Sequence, residues 1–108
     1  MSEEDDVAVR VRIAGRVQGV WYRGWAIDEA EARGLRGWVR NRRDGSVEAL
    51  FAGDAAQVDD MVRACRQGPP AARVENVSAH PAEDPGGEGF RPVPTACPTD
   101  RQDHIITA

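Results

Sequence analysis

At 108 residues the chain has the length of one domain, enough to bury a single modest core without disulfide or metal support. Hydrophobic residues make up 41% and charged residues 30%, as in ordinary soluble globules. A formal net charge of −4 argues against a protein built to coat nucleic acid.

The charge is unevenly placed. Residues 2–6 read SEEDD, whereas Arg10, Arg12, Arg16, Arg23, Arg33, Arg36, Arg40, Arg42 and Arg43 crowd the first half. A basic region on an acidic chain suits a small anion as well as a polyanion. The start MSEEDDVAV has no basic segment leading into an apolar core, so it does not read as a signal peptide. No run has the length of a membrane span. A cytoplasmic monomer with no membrane partner is expected.

Residues 1–6 read as a flexible acidic tail and 7–95 as the domain. From Val7 the pattern alternates, with Val7, Val9, Val11 and Ile13 on one side and Ala8, Arg10 and Arg12 on the other. That is a strand with one buried face. A loop flanked by Gly15 and Gly19 follows. From about Tyr22 the period changes, and Ala26, Ile27 and Ala30 fall at helical spacing, with Asp28, Glu29 and Glu31 as the solvated face and Gly34 at the C-terminal cap.

Two further strands hold Trp38 and Val39, then Val47, Ala49 and Phe51, with the hairpin signal Asp44-Gly45 between them. Asp54, with Gln57 three residues on, starts a second helix striped by Val58, Met61, Val62 and Cys65, and Gly68-Pro69-Pro70 stops it. In ARVENVSA, Val74 and Val77 break strict alternation, which predicts a strand with a bulge. FRPVPT is a last strand whose Pro92 and Pro94 confine it to a sheet edge. Residues 96–108 show no usable period and are expected to form a poorly ordered tail.

The order strand, helix, strand, strand, helix, strand, with a fifth edge strand, is the split βαβ arrangement of an α+β ferredoxin-like two-layer sandwich. Two helices then cover one face of an antiparallel sheet.

Two segments carry chemistry. The loop from Gly15 to Tyr22 joins a strand to a helix, so its amides and the helix N-terminus can form an anion cradle without metal. Arg23 in the first helical turn offers a planar fork to phosphate. The same residues also fit a plain tight turn with Arg23 paired to a surface carboxylate. In GWVRNRRDG, Asn41 ends a strand before the hairpin turn, where an Asn bonding its own backbone is frequent. Cys65 and Cys97 lack metal spacing, and Cys65 reads as a buried free thiol. His80 and His104 are isolated and read as surface residues. Trp21, Tyr22, Trp25 and Trp38 read as core or pocket wall.

GRVQGVWYR followed by GLRGWVRNRRDG resembles the acylphosphatase family, small ferredoxin-like hydrolases of acyl phosphates. The likeness runs from about Val7 to Val77 and includes QGPPAARVENV. It implies that Arg23 grips the phosphate, that the backbone amides of Arg16, Val17, Gln18, Gly19 and Val20 cradle it, and that Asn41 holds the attacking water. The implied reaction splits the carboxyl–phosphate bond of a small acyl phosphate into a carboxylate and inorganic phosphate, with no metal or cofactor. Family members often carry Thr or Ser where this chain has Ala26, which bears on rate more than on reaction type.

Two other readings compete. One is a non-catalytic module of the same fold that binds a phosphorylated metabolite. The other is an RNA-binding domain, opposed by the net charge and by the lack of an aromatic sheet motif.

Overall fold

A computed structural model describes residues 6–95. The expected C-terminal tail, with Cys97 and His104, lies outside the described residues, as do residues 1–5. In chain order the elements are β1 (Asp6–Arg16), α1 (Tyr22–Ala32), β2 (Arg36–Asn41), β3 (Val47–Asp54), α2 (Ala55–Cys65), β4 (Arg73–Pro81) and β5 (Phe90–Pro92). Asp6, expected to close the acidic tail, already opens β1.

The sheet runs β4-β1-β3-β2-β5. β3 pairs antiparallel with both β1 and β2, and β1 pairs antiparallel with β4. Each helix therefore links two parallel strands that are separated by a third, the predicted split βαβ arrangement. Val11 and Ile13 of β1, Val39 of β2 and Val47, Ala49 and Phe51 of β3 meet Ala26 and Ala30 of α1 and Val58, Met61 and Cys65 of α2 in one core. Each large apolar side chain buried there contributes roughly 1.5–3 kcal/mol.

The expected antiparallel sheet is in fact mixed, because β5 pairs parallel with β2. β4 runs antiparallel to β2, and the 82–89 connection reverses the chain, so β5 arrives parallel. It sits at the edge, as its prolines require. The Val93 amide donates to the Val39 carbonyl, so the nitrogen of Pro92, one residue earlier, faces the open side.

Helix ends follow the sequence signals. At the end of α1 the Leu35 amide bonds to the Ala30 carbonyl and the Gly34 amide to that of Glu31, a Schellman motif with Gly34 at φ 70°. The Asp54 carboxylate accepts from the Ala56 and Gln57 amides and caps α2. The expected bulge is present. The register passes from Ala14↔Asn76 to Gly15↔Val74, leaving Glu75 as the extra residue. Gly15 thus lies inside β1, opposite the bulge, rather than in the loop.

The β2–β3 hairpin closes through the Arg42 amide to the Ser46 carbonyl (2.8 Å) and the Gly45 amide to the Arg42 carbonyl (3.1 Å). The Asp44 carboxylate accepts from the Ser46 amide (3.0 Å) and hydroxyl (2.6 Å) and pairs with Arg12. The sheet face away from the helices is charged. Glu48, only 5% exposed, accepts from Arg40 and Arg42 and lies 3.8 Å from Arg10, while the Arg40 guanidinium also covers the Trp38 ring.

Two outcomes follow from the bulge and the turn. A Cβ on Gly15 would meet the Arg73 carbonyl oxygen and lie 2.8 Å from the Glu75 nitrogen, at φ 124°. Gly15→Ala is expected to lower unfolding free energy in denaturant titration by about 2 kcal/mol or more, from backbone strain plus overpacking. The Ser46 hydroxyl and amide, then Arg12 and Arg42, hold the Asp44 carboxyl down to about 2. A depressed carboxylate stabilises the fold fully above its unfolded value, about 3.9, and that support is lost as pH falls toward 2. Asp44→Asn is expected to flatten the fall in stability between about pH 4 and pH 2; an unchanged slope would refute the assignment.

Candidate active site

The chain leaves β1 at Arg16 and enters α1 at Tyr22. Between them Val17 is buried and plugs the loop into the core. Trp21 occupies the N-cap position of α1 at φ 68° and ψ 25°, the one non-glycine residue with positive φ among those described. Its side chain makes no capping bond, and the first turn contains no acidic residue. The opening amides of α1 therefore lack both an intrahelical acceptor and a capping side chain. Such a terminus, beside a loop with further amides, attracts an anion.

Arg23 is exposed in that first turn and forms no ion pair among the described residues, which removes the surface-carboxylate alternative there. Asn41 approaches from the end of β2. By the two-residue period of a strand it shares the helix-facing side with Val39. Its side-chain amide makes no hydrogen bond among the described residues, so it is not engaged with its own turn.

Arg23 and Asn41 line one cleft of about 130 Å³ together with Val17, Gly19, Trp21, Tyr22 and Gly24. Of the residues singled out from the sequence, Arg23, Asn41, Val17 and Gly19 meet there. Arg16 does not: it is paired with Arg73 at the end of β1 and lines a separate cleft beside Pro70. Gln18 and Val20 belong to the same loop without lining the cleft.

A larger groove of about 630 Å³ lies elsewhere, along Val7, Val9, Val58, Val62 and Pro81. Its lining is mostly apolar, with Asp59 and His80 as its titratable members, and it contains no arginine or side-chain amide. Size alone does not make it the site. His80 is exposed, as expected, and Cys65 is a buried free thiol that burial pushes up to about 12. Among the described residues no three His, Cys, Asp or Glu side chains are grouped to hold a metal ion. No described helix is long and apolar enough to cross a membrane.

Two supports of the cleft were not evident from sequence. The Gln18 side-chain amide donates to the carbonyls of Arg42 (2.8 Å) and Ser46 (2.9 Å), joining the loop to the hairpin that carries Asn41. The sequence marks Gln18 for its backbone amide alone, since the partners of its side chain lie in another segment. Tyr22, 2% exposed, donates its hydroxyl to the Cys65 carbonyl at 2.7 Å and meets Trp25 edge-on, fixing the start of α1 to the end of α2. Burial raises its phenol well above the usual range. Ala26, where a hydroxyl was noted as common, is fully buried in the core.

The acylphosphatase family model matches residues 9–92. An acylphosphatase of Rhodospirillum rubrum is 55% identical over 85 residues, covering 79% of this chain and 93% of that one. Among solved structures, an acylphosphatase from Coxiella burnetii superposes with a TM-score of 0.82 at 30% identity, covering 86% of this chain and 98% of its own. One from Bacillus subtilis gives 0.78 at 36% identity, covering 81% and 98%. With the family model spanning both the strand–loop–helix unit and the hairpin, this chain belongs to the acylphosphatase family of enzymes.

Proposed function

We propose that the chain hydrolyses small acyl phosphates to a carboxylate and inorganic phosphate without a metal ion. One observation carries this reading: Arg23, at an uncapped helix N-terminus, shares a small cleft with the amide of Asn41, and neither side chain has a partner among the described residues. In this reading the loop amides from Arg16 to Val20 and the guanidinium of Arg23 bind the phosphate oxygens. The position of Arg16 within β1 leaves most of that cradle to Val17–Val20. The cleft offers cationic and N–H donors, which suit phosphate oxygens and repel a metal cation.

Asn41 holds the attacking water by its side-chain amide. The water oxygen attacks phosphorus in line while the bond from phosphorus to the acyl oxygen breaks, and that electron pair leaves with the carboxylate. The leaving group's conjugate acid has a pKa of roughly 4, so no general acid is needed. The water proton passes to a phosphoryl oxygen. Positioning and charge neutralisation then supply the rate, and the protein forms no covalent bond to the substrate.

Turnover of acetyl phosphate by the full chain in excess chelator tests the reading. Asn41→Ala is expected to cut kcat about 100-fold, the scale of losing one positioned donor, with phosphate affinity little changed. Arg23→Ala is expected to weaken inhibition by inorganic phosphate about ten- to hundredfold and to lower kcat as well. No turnover by the unmutated chain, with phosphate still bound, would favour the binding module over the enzyme. Gln18→Ala removes two hydrogen bonds, so it is expected to cost about 1–3 kcal/mol in denaturant. Because misplacement by about 1 Å is enough to cost 100-fold, its kcat is expected to fall more than its phosphate affinity. A stability loss with kcat intact would reduce Gln18 to a structural tie.

A further inference from the structure

Tyr22, Phe51 and Phe90 are buried, and Trp25 and Trp38 are partly covered, but Trp21 is 63% exposed. It is also the residue held in left-handed backbone, an uncommon state for a bulky side chain and one that gathers at functional sites. Its indole rests on Gly24. A Cβ on Gly24 would fall 2.7 Å from the indole Cδ1 and Cε2, so the ring lies against Gly24 where any larger residue would displace it. An exposed aromatic side chain is thus held beside the cleft that contains Arg23 and Asn41.

The cleft volume determines what such a ring can meet. About 130 Å³ is less than half of the roughly 300 Å³ at which pockets begin to enclose drug-sized ligands. The phosphate end of an acyl phosphate occupies the cleft, and the acyl end emerges at its rim. Trp21 is the exposed aromatic surface at that rim. A flat ring without a charged group selects by stacking and apolar contact, and it favours planar acyl groups over a lone methyl.

We propose that Trp21 is the acyl-side specificity residue, a seated aromatic plate that makes the site prefer aromatic acyl phosphates to short aliphatic ones. This rests on the reading of the small cleft as the phosphate site. The full chain is titrated calorimetrically with two non-hydrolysable analogues, benzoylphosphonate and acetylphosphonate, and turnover of benzoyl phosphate and acetyl phosphate is measured in parallel. Trp21→Gly removes the ring at a residue type that adopts left-handed backbone and carries no capping side chain, and Trp21→Phe keeps a ring. The unmutated chain is expected to bind the benzoyl analogue about three- to tenfold more tightly, as an aromatic contact provides. Trp21→Phe keeps most of that ratio, and Trp21→Gly brings it to about one. Equal affinities in the unmutated chain, or a ratio unchanged in Trp21→Gly, would overturn the assignment. An aryl preference in binding without hydrolysis of either phosphate would reject the enzyme reading and leave the role of Trp21 standing. Hydrolysis without any aryl preference would do the reverse.

Discussion

Two hydrogen bonds from one amide, Gln18 Nε2 to the carbonyls of Arg42 and Ser46, fix the loop and the hairpin at a single separation. The cleft depends on that separation, because its donors come from the loop and α1 while Asn41 comes from β2. β1 and β2 are not neighbours; β3 lies between them. Two interstrand steps of about 4.8 Å put their backbones about 10 Å apart, too far for both to line one small cleft directly. The loop must therefore lean across the start of β3, and Gln18 makes contact there. Its two acceptors also serve the hairpin turn, since Ser46 accepts from Arg42 and Arg42 from Gly45. The same carbonyls thus shape the turn and locate the loop.

The arginines of the first half divide along the same geometry. Arg10, Arg12, Arg40 and Arg42 stand around Glu48 and Asp44 at the helix-free face and hairpin turn, and Arg33 and Arg36 pair with acids of neighbouring segments. Their charges are matched locally, and the exposed pairs contribute little stability each. Arg16, Arg23 and Arg43 have no such partner among the described residues. Arg16 faces a different cleft and Arg43 is exposed in the hairpin loop, so Arg23 is the unmatched cation at the helix start. The basic crowding visible in the sequence is thus mostly matched locally, and the unmatched remainder among the described residues is small.

This division also separates what the sequence can and cannot reveal. Gly34, Asp54, the Asp44-Gly45 pair and the uneven spacing of Val74 and Val77 act on neighbours within a few residues, and each marked its feature in advance. Arg23 and Asn41 stood out through their motifs. Gln18, Gly24 and the direction of β5 act through partners far along the chain. The partners of Gln18 are carbonyls, which every residue has, so no residue type announces them. Gly24 has no mark of its own in the sequence, and only the fold sets the Trp21 ring against it. Gly15 reads as a turn glycine, yet its requirement is set by β4 across the bulge.

The left-handed backbone at Trp21 ties these elements together. Such a conformation costs of order 1–3 kcal/mol and persists only where the surroundings over-determine it. The chain must pass from an exposed loop to a fully packed Tyr22 in one residue, and a left-handed step at Trp21 makes that turn. Tyr22 then gains a hydrogen bond to Cys65, about 0.5–1.5 kcal/mol, and an edge-on contact with Trp25 of similar size. Together these match the strain. Because a left-handed N-cap with an apolar side chain cannot cap α1, the same step leaves the opening amides without a side-chain acceptor beside the cleft. A Ser or Asp at position 21 would provide the oxygen that caps a helix and, in the proposed reading, would compete with phosphate for those amides. Trp21 thus holds the turn, leaves the start of α1 without a side-chain cap and sets an exposed aromatic surface beside the cleft.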